Sequence, residues 1–156
     1  IGSKTVRARP MHKDTAAAKR LLESGHYTCV FCKAETVYTD TARGVKPLLS
    51  RLDNRVALQG FCAADKVVGK GAAFLYVLLG VRELYAVTVS EKAASVLQKH
   101  NISLYYNTMV PGIRNRTNTG PCPMEDAVRD IEDPKDAPAA IRQRLAELLK
   151  EKTSAC

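Results

Sequence analysis

The sequence predicts a three-layer α/β/α domain, with helices on both faces of a mixed sheet. Residues 83–89 have the pattern of a buried strand, residues 90–100 that of a helix, and residues 102–109 that of a further strand. A strand, a ten-residue helix and a strand form a parallel βαβ unit. Residues 26–33 and 36–41 are rich in β-branched and aromatic side chains, which predicts an antiparallel hairpin. The sheet therefore contains both strand directions.

The composition indicates one globular domain with a real core. The chain has 156 residues, of which 46% are hydrophobic and 26% are charged. These values exclude collagen, a disordered tail and a small disulfide scaffold. The longest apolar run, residues 72–81, is far shorter than the ~20 residues that span a bilayer, so no membrane span is expected.

The first helix is predicted over residues 11–25, with Asp14 or Thr15 as its cap and Gly25 as its end. A short helix over 46–52 is entered through Pro47, and one long helix is expected over 62–79. The second half of that long helix is apolar on every side, which is typical of a central, buried helix.

The helix over 90–100 has the clearest signals, because Ser90 can cap its beginning and Lys99 and His100 suit its negative end. Shorter and later helices are predicted over 124–131 and 139–152. The expected organisation is a basic N-terminal arm (1–10), an α/β domain (11–133) and a C-terminal helical extension (134–156).

The charge is strongly positive, with 24 Lys and Arg against 16 Asp and Glu and a formal net charge of +8. A basic surface of this size favours RNA, nucleotides or an acidic protein complex as partner. The alternative is a solvated surface without a polyanion ligand.

Five cysteines without regular spacing argue against a secreted disulfide framework and favour an intracellular protein, cytoplasmic or in an organelle. Ile1 in place of Met fits either a cleaved targeting peptide, as in the mitochondrial matrix, or a trimmed start. Cys29 and Cys32 have a metal-site spacing, but residues three apart in a strand point to opposite faces. We therefore expect them to be core residues.

Two groups of residues could form a binding site. Cys62, Lys66 and Lys70 recur every four residues in the predicted long helix, so they would share a face that could bind an anion at the helix start. The alternative is that the lysines lie at the edge of the core. In the loop over 115–125, Arg116, Cys122 and Glu125 could line a pocket, or Glu125 could simply face the positive end of its helix.

The segments G-F-C-A-A-D-K-V-V-G-K (60–70) and G-P-C-P-M-E-D-A-V (120–128) resemble a small uncharacterised family, a domain of unknown function with the cytidine-deaminase-like fold. The resemblance covers residues 12–131. Zinc deaminases carry H/C-x-E at one helix start and P-C-x-x-C at the next. Cys62 falls at the first ligand position, but Ala64 replaces the general acid/base, and the helix after Ser90 has no cysteines. The resemblance thus implies the fold without ordinary deaminase chemistry.

These observations predict a non-catalytic, pseudoenzyme-like binding or assembly protein, an accessory subunit that contacts a larger complex, RNA or a nucleotide without a cofactor. Its expected ligand-binding residues are Asp65, Lys66, Lys70, Ser90, Arg116, Cys122 and Glu125. The alternative is a zinc-dependent hydrolase or deaminase, with Cys62, Cys122 and Glu125 as zinc ligands and Asp65 as general acid/base. A third possibility is a metal-free activity with Cys62 or Cys122 as nucleophile.

Overall fold

The computed structural model describes residues 4–5, 10–115 and 117–154. The strands are β1 (Lys4–Thr5), β2 (Cys29–Lys33), β3 (Thr36–Asp40), β4 (Cys62–Val68), β5 (Glu83–Ser90) and β6 (Ser103–Val110). The helices are α1 (Lys13–Ser24), α2 (Lys46–Asp53), α3 (Lys70–Leu79), α4 (Glu91–Lys99), α5 (Pro123–Ala127) and α6 (Ala137–Ser154). A 3-10 turn, Pro134–Asp136, leads into α6.

The sheet is mixed, which confirms the predicted α/β class. Its strand order is β1-β6-β5-β4-β2-β3. β4, β5 and β6 are parallel, whereas β2 runs antiparallel to both β3 and β4, and the two-residue β1 pairs antiparallel with β6. The predicted hairpin and the predicted βαβ unit are both present, as β2–β3 and β5–α4–β6.

Helices cover both faces of the sheet. On one face, Ala18 and Leu22 of α1 pack with Val30, Ala64 and Tyr85. On the other face, α2, α3 and α4 cover the larger core, whose biggest buried side chains include Tyr76, Phe31, Phe74, Leu84 and Leu104. Cys29 belongs to the larger core and Cys32 to the smaller one, as the two-residue period of a strand predicts.

The predicted long helix over 62–79 is wrong in its first half. Residues 62–68 form β4, which lies between β2 and β5, and α3 begins at Lys70. An inner strand is buried on both faces, so it lacks the polar and apolar alternation that marks a strand in sequence. Cys62, Lys66 and Lys70 therefore do not share a helical face.

The residue that caps the first helix differs from the prediction. His12, rather than Asp14 or Thr15, caps α1, because the backbone N–H of Asp14 donates to His12 Nδ1 at 2.9 Å.

The last helix packs on the rest of the chain. Ala137 and Ile141 of α6 are fully buried in the larger core. The extension predicted over 134–156 thus packs on the α/β domain.

The predicted N-terminal arm (1–10) lies mostly outside the described residues, which include Lys4–Thr5, as β1, and Pro10. Within the ranges given above, no helix is both long and apolar enough to cross a membrane.

Gly80 ends α3 in the left-handed conformation, with φ of +80°, and a Cβ there would lie 2.7 Å from Gln59 Cγ. We expect Gly80→Ala to lower the free energy of unfolding by about 2–3 kcal/mol, from backbone strain and the collision together. Gly44 is the matched control, because its φ is +75° and nothing lies within 4 Å of the position that a Cβ would take there. Gly44→Ala should cost only about 1 kcal/mol in urea unfolding. Equal losses would show that the Gln59 contact has no effect.

Candidate functional site at the carboxyl end of the parallel strands

Glu125 is the central side chain at the carboxyl end of β4 and β5, and it is only 8% exposed. The N–H of Lys70 donates to its Oε2 at 2.8 Å and the N–H of Ile113 to its Oε1 at 2.7 Å. The hydroxyl of Ser90 donates to Oε2 as well. The carboxylate thus occupies the N-terminal end of α3, where an anion is stabilised by free backbone N–H groups and by the helix dipole.

A glycine makes room for this carboxylate. Gly69 precedes the first residue of α3, and a Cβ there would lie 3.1 Å from Glu125 Oε2 and 3.3 Å from Ile113 Cγ1. Ser90 has a second role, because its oxygen also accepts the N–H of Ala93 and so caps α4. One internal carboxylate therefore joins the beginnings of α3 and α4 and fills the position that an anionic ligand would need.

A basic groove lies beside this buried carboxylate, between α3, α4 and the segment after α5. Its volume is about 230 Å³, and its lining includes Lys70, Lys92, Lys99, His100, Arg129 and Glu132. The Lys70 ammonium donates to the carbonyl of Arg129 at 2.8 Å, which links α3 to the end of α5. Ile131 contributes apolar surface, and the buried Phe74 lies beneath the groove. The groove can therefore receive phosphate or carboxylate groups.

The ion pairs between the basic groove and the acids near it are weak. Lys99 Nζ lies 3.7 Å from Glu132, and Arg129 lies 3.5 Å from Asp126 and 3.7 Å from Asp130. The exposed fractions of these acidic side chains are 49–88%, so water and salt screen the pairs. Each arginine or lysine can exchange its partner for a ligand phosphate at small cost.

Asp65 lies in a separate polar cluster between β4, β2 and α3. The Tyr76 hydroxyl donates to Asp65 Oδ2 at 2.5 Å, and the Cys29 sulfur lies 3.0 Å from the same hydroxyl. Burial raises the pKa of Asp65 to about 6, although hydrogen bonds from Tyr76 and Val67 lower it in part. Burial also raises the pKa of the Cys29 thiol, with Asp65 adding to the shift. Cys29 is therefore a protonated core thiol, whereas Asp65 can exchange a proton near neutral pH.

The structure brings together Lys70, Ser90 and Glu125 from the predicted ligand-binding set. Cys122 is close to them in the chain, as the half-buried residue before α5, and its N–H donates to the carbonyl of Ile113 at 2.8 Å. Lys66 is exposed on β4, Asp65 belongs to the Tyr76 cluster, and Arg116 lies outside the described residues.

The alternative zinc set of Cys62, Cys122 and Glu125 does not assemble. Cys62 begins β4, whereas Glu125 contacts the residues that follow the end of that strand. Six steps of about 3.3 Å separate the first and last residues of β4, or about 20 Å. A zinc ion with bonds of about 2.0–2.3 Å cannot reach ligands at both ends. Burial also raises the pKa of Cys62 to about 11, which disfavours it as a free nucleophile.

Sequence reasoning missed Ile113, Tyr76 and most of the groove. The Ile113 contribution comes from a backbone N–H, which has no sequence signal. The groove combines residues of α4 and its end, Lys92, Lys99 and His100, with Arg129 from later in the chain. Only the packing of α4 against α3 brings them together. The charge count indicated a basic surface without showing where it converges.

Comparison with known proteins identifies relatives of undefined activity. The family model TM1506, a domain of unknown function (DUF1893), matches residues 17–145. The crystal structure of a DUF1893 family protein (TM1506) from Thermotoga maritima is similar, with a TM-score of 0.76 and 21% sequence identity over 90% of this chain and 95% of that one. This identity supports a shared fold alone. No curated protein matches the chain.

Proposed function

The chain belongs to the DUF1893 family of domains of unknown function, so its role has to be inferred from its own structure. We propose that it is a non-catalytic RNA-binding accessory subunit. The basic groove between α3 and α4 would bind the phosphate backbone of RNA. The observation that carries this proposal is the convergence of five basic side chains on one groove: Lys70, Lys92, Lys99, His100 and Arg129.

The chemistry of the groove favours phosphates over bases. Phe74, the aromatic residue of the lining, is 1% exposed, so it offers no face on which a base could stack. Lysine and arginine contacts to phosphates release counterions and carry little sequence information. The groove therefore fits an RNA backbone that is bound with modest sequence preference.

The site at the carboxyl end of the sheet supports a binding role rather than catalysis. Three donors already converge on the Glu125 carboxylate, so its oxygens are engaged in holding α3, α4 and the segment after β6 together. Burial raises the pKa of Asp65 to about 6, but its carboxylate accepts hydrogen bonds from the Tyr76 hydroxyl and the Val67 N–H. These contacts make both acids parts of the framework.

We further propose that the fold is of the cytidine-deaminase-like type. The hairpin β2–β3, the helix α2 and the three parallel strands with their crossover helices follow the order on which that resemblance rests. Because Cys62 begins a strand and not a helix, the zinc motifs would fall in this order not at Cys62 and the helix after Ser90, where the sequence pattern predicts them, but at the starts of α2 and α3. Their residues, 44–48 and 69–73, read G-V-K-P-L and G-K-G-A-A and contain no His, Cys or Glu. This supports a pseudoenzyme.

The proposal is tested with a fluorescently labelled single-stranded RNA of about 20 nucleotides, titrated with protein at several salt concentrations. Lys92→Gln with Lys99→Gln removes two exposed charges from the groove. We expect about 10- to 100-fold weaker binding and a salt slope that is shallower by about 1.4, because each lost phosphate contact to a single strand removes about 0.7.

The matched control removes the same charge from the opposite face of the sheet. Lys13 and Arg20 are exposed on α1, and Lys13→Gln with Arg20→Gln should change the affinity less than about threefold. An equal loss in both double variants would show that total charge, not the groove, binds the RNA. Wild-type protein that leaves the RNA unbound at low salt would refute an RNA role.

A further inference from the structure

A second cluster of reactive side chains lies at the other end of β4, far from the groove. His12, Asp14 and Cys62 each offer one ligand atom, and these atoms all lie within 4.8 Å of one another. His12 Nδ1 and Asp14 Oδ2 are 3.7 Å apart. Imidazole, carboxylate and thiolate are the three ligand types that zinc takes from proteins.

Two rigid elements place this cluster. Cys62 is the first residue of β4, and its neighbour two positions on, Ala64, packs against α1. Since alternate residues of a strand share a face, Cys62 also points toward α1. His12 and Asp14 come from the beginning of α1, where His12 caps the helix. The site thus joins the first helix to a central strand.

A second thiol lies on the same face. Cys32 of β2 is directly opposite Cys62 in the antiparallel pair β2–β4, and side chains of opposite residues stand on the same side of a sheet. Cys32 packs in the smaller core with Ala18 and Leu22 of α1, which agrees with that placement.

The cluster carries an excess of negative charge in a buried place. Glu83 is 7% exposed, and its Oε1 accepts hydrogen bonds from the backbone N–H of His12 at 2.7 Å and from the Thr15 hydroxyl at 2.6 Å. A divalent cation bound here would be stabilised by the Asp14 carboxylate and by the Cys62 thiolate.

We propose that His12, Asp14 and Cys62 bind a zinc ion as its three protein ligands, while Cys32 lies on the same face of the sheet outside this group. Bond lengths of about 2.0–2.3 Å in a tetrahedron put ligand atoms about 3.3–3.8 Å apart, so the ligands need to close by about 1 Å. The side chains of His12 and Asp14 are partly exposed and can make that movement. The Cys62 thiolate and the Asp14 carboxylate balance the ion's two charges.

The backbone N–H of Asp14 competes with zinc for the His12 imidazole. A neutral imidazole has a lone pair on one nitrogen, and in this structure that nitrogen is Nδ1 of His12, which accepts the Asp14 N–H. A metal on either ring nitrogen takes this lone pair from the helix cap. Asparagine is a good cap without an imidazole, so His12→Asn separates the two roles of this side chain.

The experiment is titration of chelator-treated, full-length protein with cobalt(II), followed by zinc competition and calorimetry. One equivalent of cobalt with thiolate charge-transfer absorption is expected, displaced by zinc. Cys62→Ser and His12→Asn should each weaken zinc binding by at least about 100-fold, since each removes a direct ligand. Circular dichroism and thermal melting establish that both variants are folded.

Cys122→Ser is the matched control, because this half-buried thiol is far from α1 at the carboxyl end of the sheet. Its zinc affinity should stay within about threefold of wild type. Wild-type protein without stoichiometric cobalt or zinc binding would overturn the site, as would a folded His12→Asn variant with unchanged affinity. RNA titrations do not bear on these outcomes, so the two proposals fail independently.

Discussion

Replacement of Glu125 by alanine is expected to lower the free energy of unfolding by about 3–5 kcal/mol. The change removes the acceptor of three donors at once, namely the N–H groups of Lys70 and Ile113 and the hydroxyl of Ser90. A buried donor that loses its partner costs about 1–3 kcal/mol, and water can enter to satisfy part of the set. Urea unfolding at neutral pH measures the loss.

Two further variants show whether the lost hydrogen bonds of Glu125 cause the loss of stability. Glu125→Gln keeps the shape and one acceptor oxygen but places an NH2 group against a donor, so about half of the loss should remain. Glu132 lies at the groove with a side chain that is 86% exposed, and Glu132→Ala should stay within about 0.5 kcal/mol of wild type. A Glu125→Ala variant as stable as Glu132→Ala would mean that the carboxylate does not hold the two helices.

The parts of the fold that could be predicted from sequence are those fixed by local chemistry. The helix after Ser90 is found as α4, and the Ser90 oxygen accepts the N–H of Ala93 as a cap should. Pro47 enters α2 as expected. The strands on either side of α4 are long enough, and bounded clearly enough, to be placed within one or two residues.

β4 could not be identified in this way, because its local signals contradict its environment. Ala63 and Ala64 favour a helix intrinsically, and they continue into the apolar run of α3 without a proline between. They form a strand because β2 and β5 supply backbone partners on both sides, which only the folded chain shows. Gly69 and Gly71 are the only helix-breaking residues in this stretch, and glycines there are equally compatible with close packing of a continuous helix.

The error in β4 also displaces the predicted site. A helix that starts at Cys62 would bring this thiol near the loop that contains Cys122 and Glu125, whereas Cys62 lies at the far end of the strand. The loop pattern singles out Glu125 as a pocket or ligand residue, whereas its carboxylate binds two backbone N–H groups and the Ser90 hydroxyl, and no residue pattern encodes backbone partners. Contacts between side chains of distant segments, such as Tyr76 with Asp65, likewise require the packing of α3 on the sheet.

Asp65 should make the protein less stable as the pH rises from about 4 to about 6. Burial raises its pKa from the usual value of 3.8 to about 6, so between these values the folded chain holds a proton that the unfolded chain has lost. The free energy of unfolding then falls by about 1.4 kcal/mol per pH unit, or up to about 3 kcal/mol in total. Asp65→Asn cannot titrate, so the variant should gain this amount relative to wild type between pH 4 and pH 7.

Urea unfolding across this pH range measures the difference in the free energy of unfolding between Asp65→Asn and wild type. The control is Asp130→Asn, because the Asp130 side chain is 88% exposed. Its difference from wild type should stay constant within about 0.5 kcal/mol at every pH. Tyr76→Phe tests whether the pKa of Asp65 sets this pH dependence. The Tyr76 hydroxyl donates to Asp65 and thereby lowers its pKa, so its removal should extend the loss of stability to pH values above 6. If Asp65→Asn and wild type keep the same difference at every pH, Asp65 is already ionised near pH 4, and burial is not the dominant influence on its proton.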